Sequence, residues 1–213
     1  MKTGILFDLD GTLLSTLEDL TDAVNYTLRH YGCPERTIEE VRTFVGYGAY
    51  NLIRSSLPGK DTDPSVDQVL AFYQDYYGTH SQIKTRPYDG VLEALAKLSE
   101  EYPIAVVSNK PDRATKPLCR DYFGEKIFAL GQLDEIPKKP APDMLLHAMK
   151  TIGVEKCIYV GDSEVDVQTA QNTGVPCLSV LWGFRDKECL AEHGATHFCD
   201  DPKQLYQCIK EML

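Results

Sequence analysis

The sequence has few of the features that bind nucleic acid or membranes. Its 22 lysines and arginines are outnumbered by 32 aspartates and glutamates, which gives a net charge of -10. Nucleic acids and anionic lipid surfaces are bound by clustered basic residues, so we expect neither as a partner. No apolar run approaches the ~20 residues that cross a bilayer. Strand-like residues begin so soon after Met1 that we expect no signal peptide and a cytoplasmic location.

The seven cysteines are scattered, and none belongs to a Cys-x-x-Cys pair of the kind that binds zinc or carries redox chemistry. Cys157 and Cys177 begin apolar, strand-like runs, where a thiol acts as a small hydrophobic group. We therefore expect neither a zinc site nor a disulfide framework.

An apolar run near the start of the chain ends in two acidic residues. Residues 5–7 predict a strand that is buried on both faces. Asp8 and Asp10 follow, and because side chains alternate along an extended segment, both carboxylates point the same way. At roughly 5 Å and an effective dielectric of about 20, two carboxylates repel by roughly 3 kcal/mol. The pair therefore favours either a divalent cation or one ionised and one protonated acid.

The chain is long enough for one large domain or for one domain that carries an insertion, with 213 residues of which 43% are hydrophobic. Residues 15–84 contain only helical patterns. Apolar spacings and capping signals predict helices near residues 17–31, 37–44, 49–57 and 65–77. We predict an all-helical domain at residues 15–84, inserted into a core domain formed by residues 1–14 and 85–213.

Helices and strands alternate from Pro87 onward. Strands are predicted at residues 104–108, 127–130, 157–161, 177–181 and 196–199, and helices at residues 89–100, 113–122, 143–152, 165–172, 187–193 and 202–212. This alternation is typical of parallel strands with right-handed crossovers. We predict an α/β fold with a doubly wound, Rossmann-like parallel sheet. Ligands bind such sheets at the carboxyl ends of the strands, where Asp8 and Asp10 lie.

Other predicted strand ends also carry polar groups. Ser108 and Asn109 follow one strand, Lys139 precedes a proline-started helix, and Asp162 follows another strand. Each has an ordinary explanation as a helix cap or a surface charge. A doubly wound sheet would bring all of them beside Asp8, which predicts a functional site.

In this order the groups resemble the motifs of the haloacid dehalogenase-like hydrolase superfamily. The matching segments are Asp8-Leu9-Asp10-Gly11-Thr12, Ser108, Lys139 and Gly161-Asp162-x-x-x-Asp166. The resemblance covers nearly the whole chain. It implies that Asp8 is a nucleophile that becomes an aspartyl-phosphate. It also implies that Asp10 protonates the leaving oxygen and then deprotonates the hydrolytic water.

The same resemblance implies how phosphate and a cofactor are held. The residues expected to bind the substrate are Gly11, Thr12, Ser108 and Asn109. Lys139 is expected to neutralise charge on the nucleophile and the phosphate. Mg²⁺ is the expected cofactor, with Asp8, the Asp10 carbonyl and Asp162 as ligands and with Asp166 steadying the metal shell or Lys139.

Two further segments resemble phosphoglycolate phosphatases. One is Phe44-Val45-Gly46-Tyr47-Gly48-Ala49 followed by Arg54, and the other is Trp182-Gly183-Phe184-Arg185. Glycines at a helix start let backbone amides approach a small anion, so Gly46, Tyr47 and Arg54 are further candidates for substrate binding. Ordinary packing for Tyr47 and a surface charge for Arg54 remain the alternatives.

The function that this resemblance implies is a Mg²⁺-dependent phosphatase that hydrolyses a small, phosphoglycolate-like phosphomonoester. The expected partner is therefore a small phosphorylated metabolite, and the protein is expected to be a monomer or a homodimer. A sugar-phosphate mutase or a pyrophosphatase on the same scaffold is the first alternative. The alternative from another class is a non-catalytic protein that binds a phosphorylated ligand, which would not need the complete set of motif residues found here.

Overall fold

The computed structural model describes residues 2–59 and 65–213. The chain divides into two compact units, one formed by Met1–Leu14 with Pro87–Leu213 and the other by Ser15–Arg86. The second boundary falls at Arg86 rather than at Lys84. Most of the segment between the predicted helices at residues 49–57 and 65–77 lies outside the described residues. Within the described ranges, no helix is both long and apolar enough to cross a membrane.

Apart from two short strands, the helices and strands follow one another in the order expected from the sequence. They are β1 (Thr3–Phe7), β2 (Leu14–Ser15), α1 (Leu17–His30), α2 (Ile38–Phe44), α3 (Ala49–Ser56), α4 (Val66–His80), β3 (Arg86–Pro87), α5 (Val91–Glu101), β4 (Ile104–Pro111), α6 (Asp112–Phe123), β5 (Phe128–Gln132), α7 (Asp143–Ile152), β6 (Lys156–Gly161), α8 (Glu164–Thr173), β7 (Cys177–Val180), α9 (Lys187–Glu192), β8 (His197–Cys199), a 3₁₀ helix (Pro202–Gln204) and α10 (Leu205–Glu211).

Six strands form one parallel sheet in the order β5-β4-β1-β6-β7-β8. The predicted α/β fold class is confirmed. Phe7 at the end of β1 is in register with Val106 of β4 and with Val160 of β6. The residues that come after these three register positions therefore meet at one edge of the sheet, which is the edge that the sequence predicts for the site.

Both faces of the sheet are covered, as the uninterrupted apolar runs predict. Ile5 and Phe7 of β1 belong to one core cluster with Leu98 and Leu205, whereas Leu6 between them belongs to a second cluster with α7. The alternation of side chains along the strand explains the division. Each fully buried side chain of this size contributes about 1.5–3 kcal/mol to folding, so β1 is held firmly from both sides.

Three details differ from the expectations. Strand β4 continues to Pro111 instead of ending at Ser108, with an irregular register against β5 between Val107 and Pro111. The last predicted helix is divided into a 3₁₀ turn and α10. The two-residue strands β2 and β3 were not predicted, because two residues are too few to show a period. They pair with each other.

The second unit contains α1 to α4, in agreement with its helical pattern. Helix α2 begins with the predicted capping box, in which the Thr37 side chain accepts from the Glu40 N–H and the Glu40 side chain accepts from the Thr37 N–H. The Asp19 carboxylate, which is buried in α1, accepts hydrogen bonds from the backbone N–H groups of Ile83, Lys84 and Thr85. These bonds tie the end of the unit to its first helix.

Candidate functional site

The site begins at the carboxyl end of β1, which lies between β4 and β6. The Asp8 N–H donates to the Val160 carbonyl at 2.8 Å, so the sheet itself fixes the backbone at Asp8. Gly11 follows with a φ of +85°, in the left-handed region that favours glycine. A Cβ atom at Gly11 would overlap the Asp162 carboxylate. Gly11 therefore allows the β1 loop to lie directly against Asp162.

Lys139 joins the acidic residues on one side of the site. Its ammonium donates to Asp8 Oδ1 at 2.8 Å, to Asp166 Oδ1 at 2.8 Å and to Tyr159 Oη at 2.7 Å. An ammonium has three N–H donors, so these bonds use all of them. Burial acts to lower the pKa of Lys139, but the charges of Asp166 and Asp8 outweigh it and raise that pKa above its ordinary value. Lys139 is therefore a buried, charged link between two carboxylates.

Asp166 is held by donors on both of its oxygens. Oδ1 accepts from Lys139 and from the Tyr159 hydroxyl at 2.9 Å, and Oδ2 accepts from the Ser163 N–H at 3.1 Å and from the Ser163 hydroxyl at 2.6 Å. Burial acts to raise the pKa of Asp166. The Lys139 charge and the hydrogen bonds outweigh burial, so the pKa of Asp166 lies below its ordinary value. Asp166 is therefore an ionised carboxylate that fixes Lys139.

Asp162 is held only by neutral donors among its described contacts. The Thr12 hydroxyl donates to Oδ1 at 2.9 Å, and the Phe184 N–H donates to Oδ2 at 2.7 Å. The Asp162 side chain is fully buried, and burial together with the negative charges of Asp166 and Asp8 raises its pKa well above the ordinary value. Burial likewise raises the pKa of Asp8 to about 7, against the opposing effect of Lys139.

Asp8, Asp162 and Asp166 each offer one carboxylate oxygen, and these three oxygens lie within 4.8 Å of one another. Buried oxygen donors of this kind suit a hard divalent cation such as Mg²⁺. Burial and mutual repulsion oppose ionisation of Asp8 and Asp162, and a bound cation would relieve both effects. Because the Asp166 oxygens already accept four hydrogen bonds, Asp8 and Asp162 fit the role of cation ligands better than Asp166 does.

Asp10 contacts a second lysine. The Lys110 ammonium lies 2.9 Å from both Asp10 carboxylate oxygens, and the two side chains are only 4% and 12% exposed. Ser108 lies on the same strand, and its hydroxyl accepts from the Lys110 N–H at 3.2 Å. The Asn109 side-chain amide donates to the Lys139 carbonyl at 2.9 Å. The Asn109 side chain therefore holds the backbone that carries Lys139.

The structure brings together the core residues that the sequence singled out and adds two. Sequence reasoning assigned no role to Lys110 or Tyr159. The one sequence signal for Lys110 was its place directly after Ser108 and Asn109, but its role depends on the continuation of β4 to Pro111, which no local pattern predicts. Tyr159 gave no such signal, since it belongs to an apolar strand and only the folded chain places its hydroxyl beside Lys139.

The remaining candidates lie in the helical unit. Gly46, with a φ of +123°, and Tyr47 precede α3, and Arg54 is an exposed residue within α3. Gly48 is the N-cap residue of α3. Both glycines have positive φ values, which residues other than glycine rarely adopt. Contacts of these residues with a substrate remain a prediction.

Alignments with named relatives cover nearly the whole chain. Phosphoglycolate phosphatase 1 of Pseudomonas aeruginosa is 34% identical over 218 residues, which cover 97% of this chain and 79% of that protein. The phosphoglycolate phosphatase of Rhodobacter capsulatus is 34% identical over 210 residues, which cover 94% of each chain.

Solved structures and a family model point to the same group of proteins as these relatives do. A candidate phosphoglycolate phosphatase from Lactobacillus delbrueckii subsp. bulgaricus has a TM-score of 0.90 and 36% identity, covering 98% of this chain and 99% of its own. CbbY from Rhodobacter sphaeroides, solved in complex with phosphate, has a TM-score of 0.82 at 22% identity over 99% of this chain and 100% of its own, and shows the fold alone. The model described as haloacid dehalogenase-like hydrolase matches residues 5–180. The resemblance seen in the motifs is confirmed, and the chain belongs to the haloacid dehalogenase-like hydrolase family.

Proposed function

We propose that the protein is a Mg²⁺-dependent phosphatase that hydrolyses a small phosphomonoester, with phosphoglycolate as the first candidate. The observation that carries this proposal is the position of Asp8. Its carboxylate lies at the end of β1, bound to Lys139 and within 4.8 Å of carboxylate oxygens of Asp162 and Asp166. Relatives that are named phosphoglycolate phosphatase and are 34% identical support the choice of substrate.

In the first step, the Asp8 carboxylate attacks phosphorus, and the bond from phosphorus to the substrate oxygen breaks. The product is a mixed anhydride on Asp8. Lys139 is suited to this step, because its charge offsets the repulsion between the carboxylate and an approaching phosphate dianion. When bound near Asp8 and Asp162, Mg²⁺ would supply further positive charge for the transferring phosphoryl oxygens.

Asp10 supplies the proton for the leaving oxygen and later accepts one from water. That water attacks the phosphorus of the anhydride, which releases phosphate and restores the Asp8 carboxylate. Both Asp10 oxygens accept a hydrogen bond from Lys110 in this structure. The leaving oxygen must reach one of them, so Lys110 has to exchange at least one of these contacts when the substrate is bound.

The structure supports different assignments for two of the expected substrate-binding residues. The Thr12 hydroxyl donates to Asp162, and the Asn109 side chain donates to the Lys139 carbonyl. We propose that these two side chains position Asp162 and Lys139 rather than bind phosphate directly. Ser108, Gly11 and, in the helical unit, Gly46, Tyr47 and Arg54 are kept as proposed substrate contacts.

The first experiment compares kcat/KM for phosphoglycolate, sugar phosphates, nucleotides and pyrophosphate, with Mg²⁺ and with EDTA. We expect the highest value for a small phosphorylated acid, no activity in EDTA and recovery on addition of Mg²⁺. Preferred cleavage of pyrophosphate or net isomerisation of a sugar phosphate would contradict the proposal that the protein is a phosphomonoesterase. Full activity in chelator, with metal content measured as nil, would contradict the cofactor.

The second experiment tests the separate role of Asp10. Asp10→Asn should strongly slow the phosphorylation of Asp8 by phosphoglycolate. It should slow the phosphorylation by p-nitrophenyl phosphate much less, because p-nitrophenolate leaves without needing a proton from an acid. Phosphoprotein on Asp8 should then accumulate, and mass spectrometry after rapid quenching can locate it. Asp121→Asn, an exposed aspartate of the same unit, is the matched control. Equal losses for both substrates without trapped phosphoprotein would mean that Asp10 is not the general acid and base.

A further inference from the structure

The loop between β7 and α9, residues 181–186, holds Asp162 from one side. The Phe184 N–H donates to Asp162 Oδ2 at 2.7 Å, and the Thr12 hydroxyl of the β1 loop donates to Oδ1 from the other side. Each oxygen of this fully buried carboxylate therefore has one neutral donor. Two segments that are far apart in the sequence together fix the orientation of the Asp162 side chain.

The same loop has one anchor on each side of Phe184. The Trp182 indole N–H donates to the Thr12 carbonyl at 3.0 Å. The Arg185 guanidinium donates to Glu164 in the first turn of α8, through Nε at 2.7 Å and Nη2 at 3.2 Å. The Arg185 and Glu164 side chains are only 12% and 11% exposed. A partly buried, two-bonded pair of this kind is stronger and better oriented than an ordinary surface ion pair.

The loop backbone also lies directly against Asp162. A Cβ atom on Gly183 would overlap the Asp162 carboxyl group, so this position has no room for a side chain. Because the backbone contacts the carboxylate without an intervening side chain, a displacement of the loop acts on the carboxylate directly. This contact gives Trp182 and Arg185, which bind Thr12 and Glu164, a physical route to Asp162.

We propose that Trp182 and Arg185 are positioning residues that set the affinity of the carboxylate cluster for its divalent cation, by holding the Phe184 amide and Thr12 against Asp162. The inference rests on the proposed function, since it assumes that Asp162 is a cation ligand. Hydrogen bonds to a ligating carboxylate fix its orientation, and losing such an outer partner typically weakens metal binding by about 10–100-fold.

The test measures Mg²⁺ binding to the full-length, metal-stripped protein by isothermal titration calorimetry. Trp182→Phe keeps an aromatic ring, smaller than the indole, and removes the N–H donor, and Arg185→Gln removes the charge. We expect both variants to bind Mg²⁺ about 10-fold more weakly than the wild type. Arg120→Gln, which removes an arginine from an exposed ion pair of the same unit, is the matched control and should bind as the wild type does.

Two further measurements separate positioning from a general loss of structure. At saturating Mg²⁺ the variants should recover most of the wild-type kcat, while the Mg²⁺ concentration for half-maximal activity rises with the dissociation constant. In chelator, Trp182→Phe should unfold at nearly the wild-type temperature. Glu164→Gln should weaken Mg²⁺ binding as much as Arg185→Gln does. The double variant Glu164→Gln with Arg185→Gln should bind Mg²⁺ no more weakly than either single variant, because both changes break the same pair.

The outcomes distinguish this inference from the proposed function. If the wild type binds Mg²⁺ and Trp182→Phe and Arg185→Gln bind it equally well, the positioning role is wrong and the proposed cofactor stands. If the wild type binds no Mg²⁺ and is active in chelator, the proposed cofactor is wrong, and the inference is wrong with it. If Arg185→Gln does not fold, the result for Trp182→Phe decides.

Discussion

Asp166 and Asp162 belong to the same motif and are both almost completely buried, at 1% and 0% exposure, yet their surroundings affect their charge in opposite ways. Asp166 contacts the Lys139 ammonium and has a lowered pKa. Asp162 contacts a hydroxyl and a backbone N–H and has a raised pKa. Since burial is equal, the difference comes from the charge of the partners.

This comparison divides the cluster into two functional sides. On the Lys139 side, the Lys139 ammonium forms ion pairs with both Asp8 and Asp166. On the Asp162 side, the donors are neutral and orient the carboxyl group without offsetting a negative charge on it, so a bound divalent cation would favour its ionisation. A site of this kind has its acidic groups in place before the cation binds, with only part of their repulsion offset by the fold.

The largest expected effect comes from Asp8, which both sides share. Asp8→Asn removes the proposed nucleophile and leaves an amide that cannot form the mixed anhydride. We expect activity to fall by several orders of magnitude, on the order of the 10⁶ that other enzymes lose with their nucleophile. Single-turnover kinetics measures the loss, and mass spectrometry should find no phosphorylated aspartate. More than a few per cent of wild-type activity in a contamination-free preparation would mean that another group attacks phosphorus.

The next largest effect is expected when the Lys139 ammonium is removed. Lys139→Met leaves Asp8 and Asp166 buried without their cation, and breaking a buried ion pair from one side costs about 3–5 kcal/mol. Urea denaturation in chelator should show a drop of this size in the free energy of unfolding. The control Lys210→Met, in a partly exposed pair with Glu101, should cost no more than about 1 kcal/mol. Equal costs for the two variants would contradict the idea that Lys139 neutralises this side.

The third prediction uses the opposite pKa shifts. For an acid whose pKa is raised in the folded state, the stabilisation is fully present below the unfolded pKa and is lost as pH rises through the folded pKa. Asp8, with a pKa of about 7, and Asp162 both have raised values. In chelator, the free energy of unfolding should therefore fall as pH rises from ~4, the ordinary aspartate value, to about 7. Saturating Mg²⁺ should remove much of this loss.

Two asparagine variants sharpen the same prediction. Asp162→Asn can keep both contacts, because its amide can donate to the Thr12 hydroxyl and its oxygen can accept from the Phe184 N–H. It should be at least as stable as the wild type in chelator at pH 8 and should lose Mg²⁺ binding. Asp166→Asn should be less stable, because donors face both of its oxygens. The prediction is wrong if Asp162→Asn and Asp166→Asn lower the free energy of unfolding by the same amount in chelator at pH 8.

The smallest effect concerns Tyr159, whose hydroxyl joins Lys139 and Asp166. Tyr159→Phe removes one hydrogen-bonding group and keeps the buried ring. We expect a loss of about 0.5–1.5 kcal/mol in the free energy of unfolding, measured by urea denaturation. A loss as large as that of Lys139→Met would show that the hydroxyl, and not the ammonium, holds this side together.

Much of the fold can be predicted from the sequence, because it depends on local patterns. Apolar runs bounded by turn residues placed β1, β6 and β7, and helix α7 has the predicted bounds, Asp143–Ile152. The alternation of strands and helices is in turn typical of a parallel sheet, so the convergence of Asp8, Ser108 and Asp162 on one edge could also be expected. Two-residue strands and the extension of β4 could not, since they depend on pairing between distant segments.

The sequence by itself singled out Asp8, Ser108 and Asp162 as candidates for the site, because each of them stands at the end of a recognisable strand pattern. Only the tertiary structure decided the partners of these groups. Lys110 contacts Asp10, Tyr159 contacts Lys139, and the backbone at Phe184 holds Asp162. The physical reason is distance along the chain. These contacts join residues that are remote in sequence, and their charge and hydrogen bonding depend on a few ångströms that no local pattern specifies.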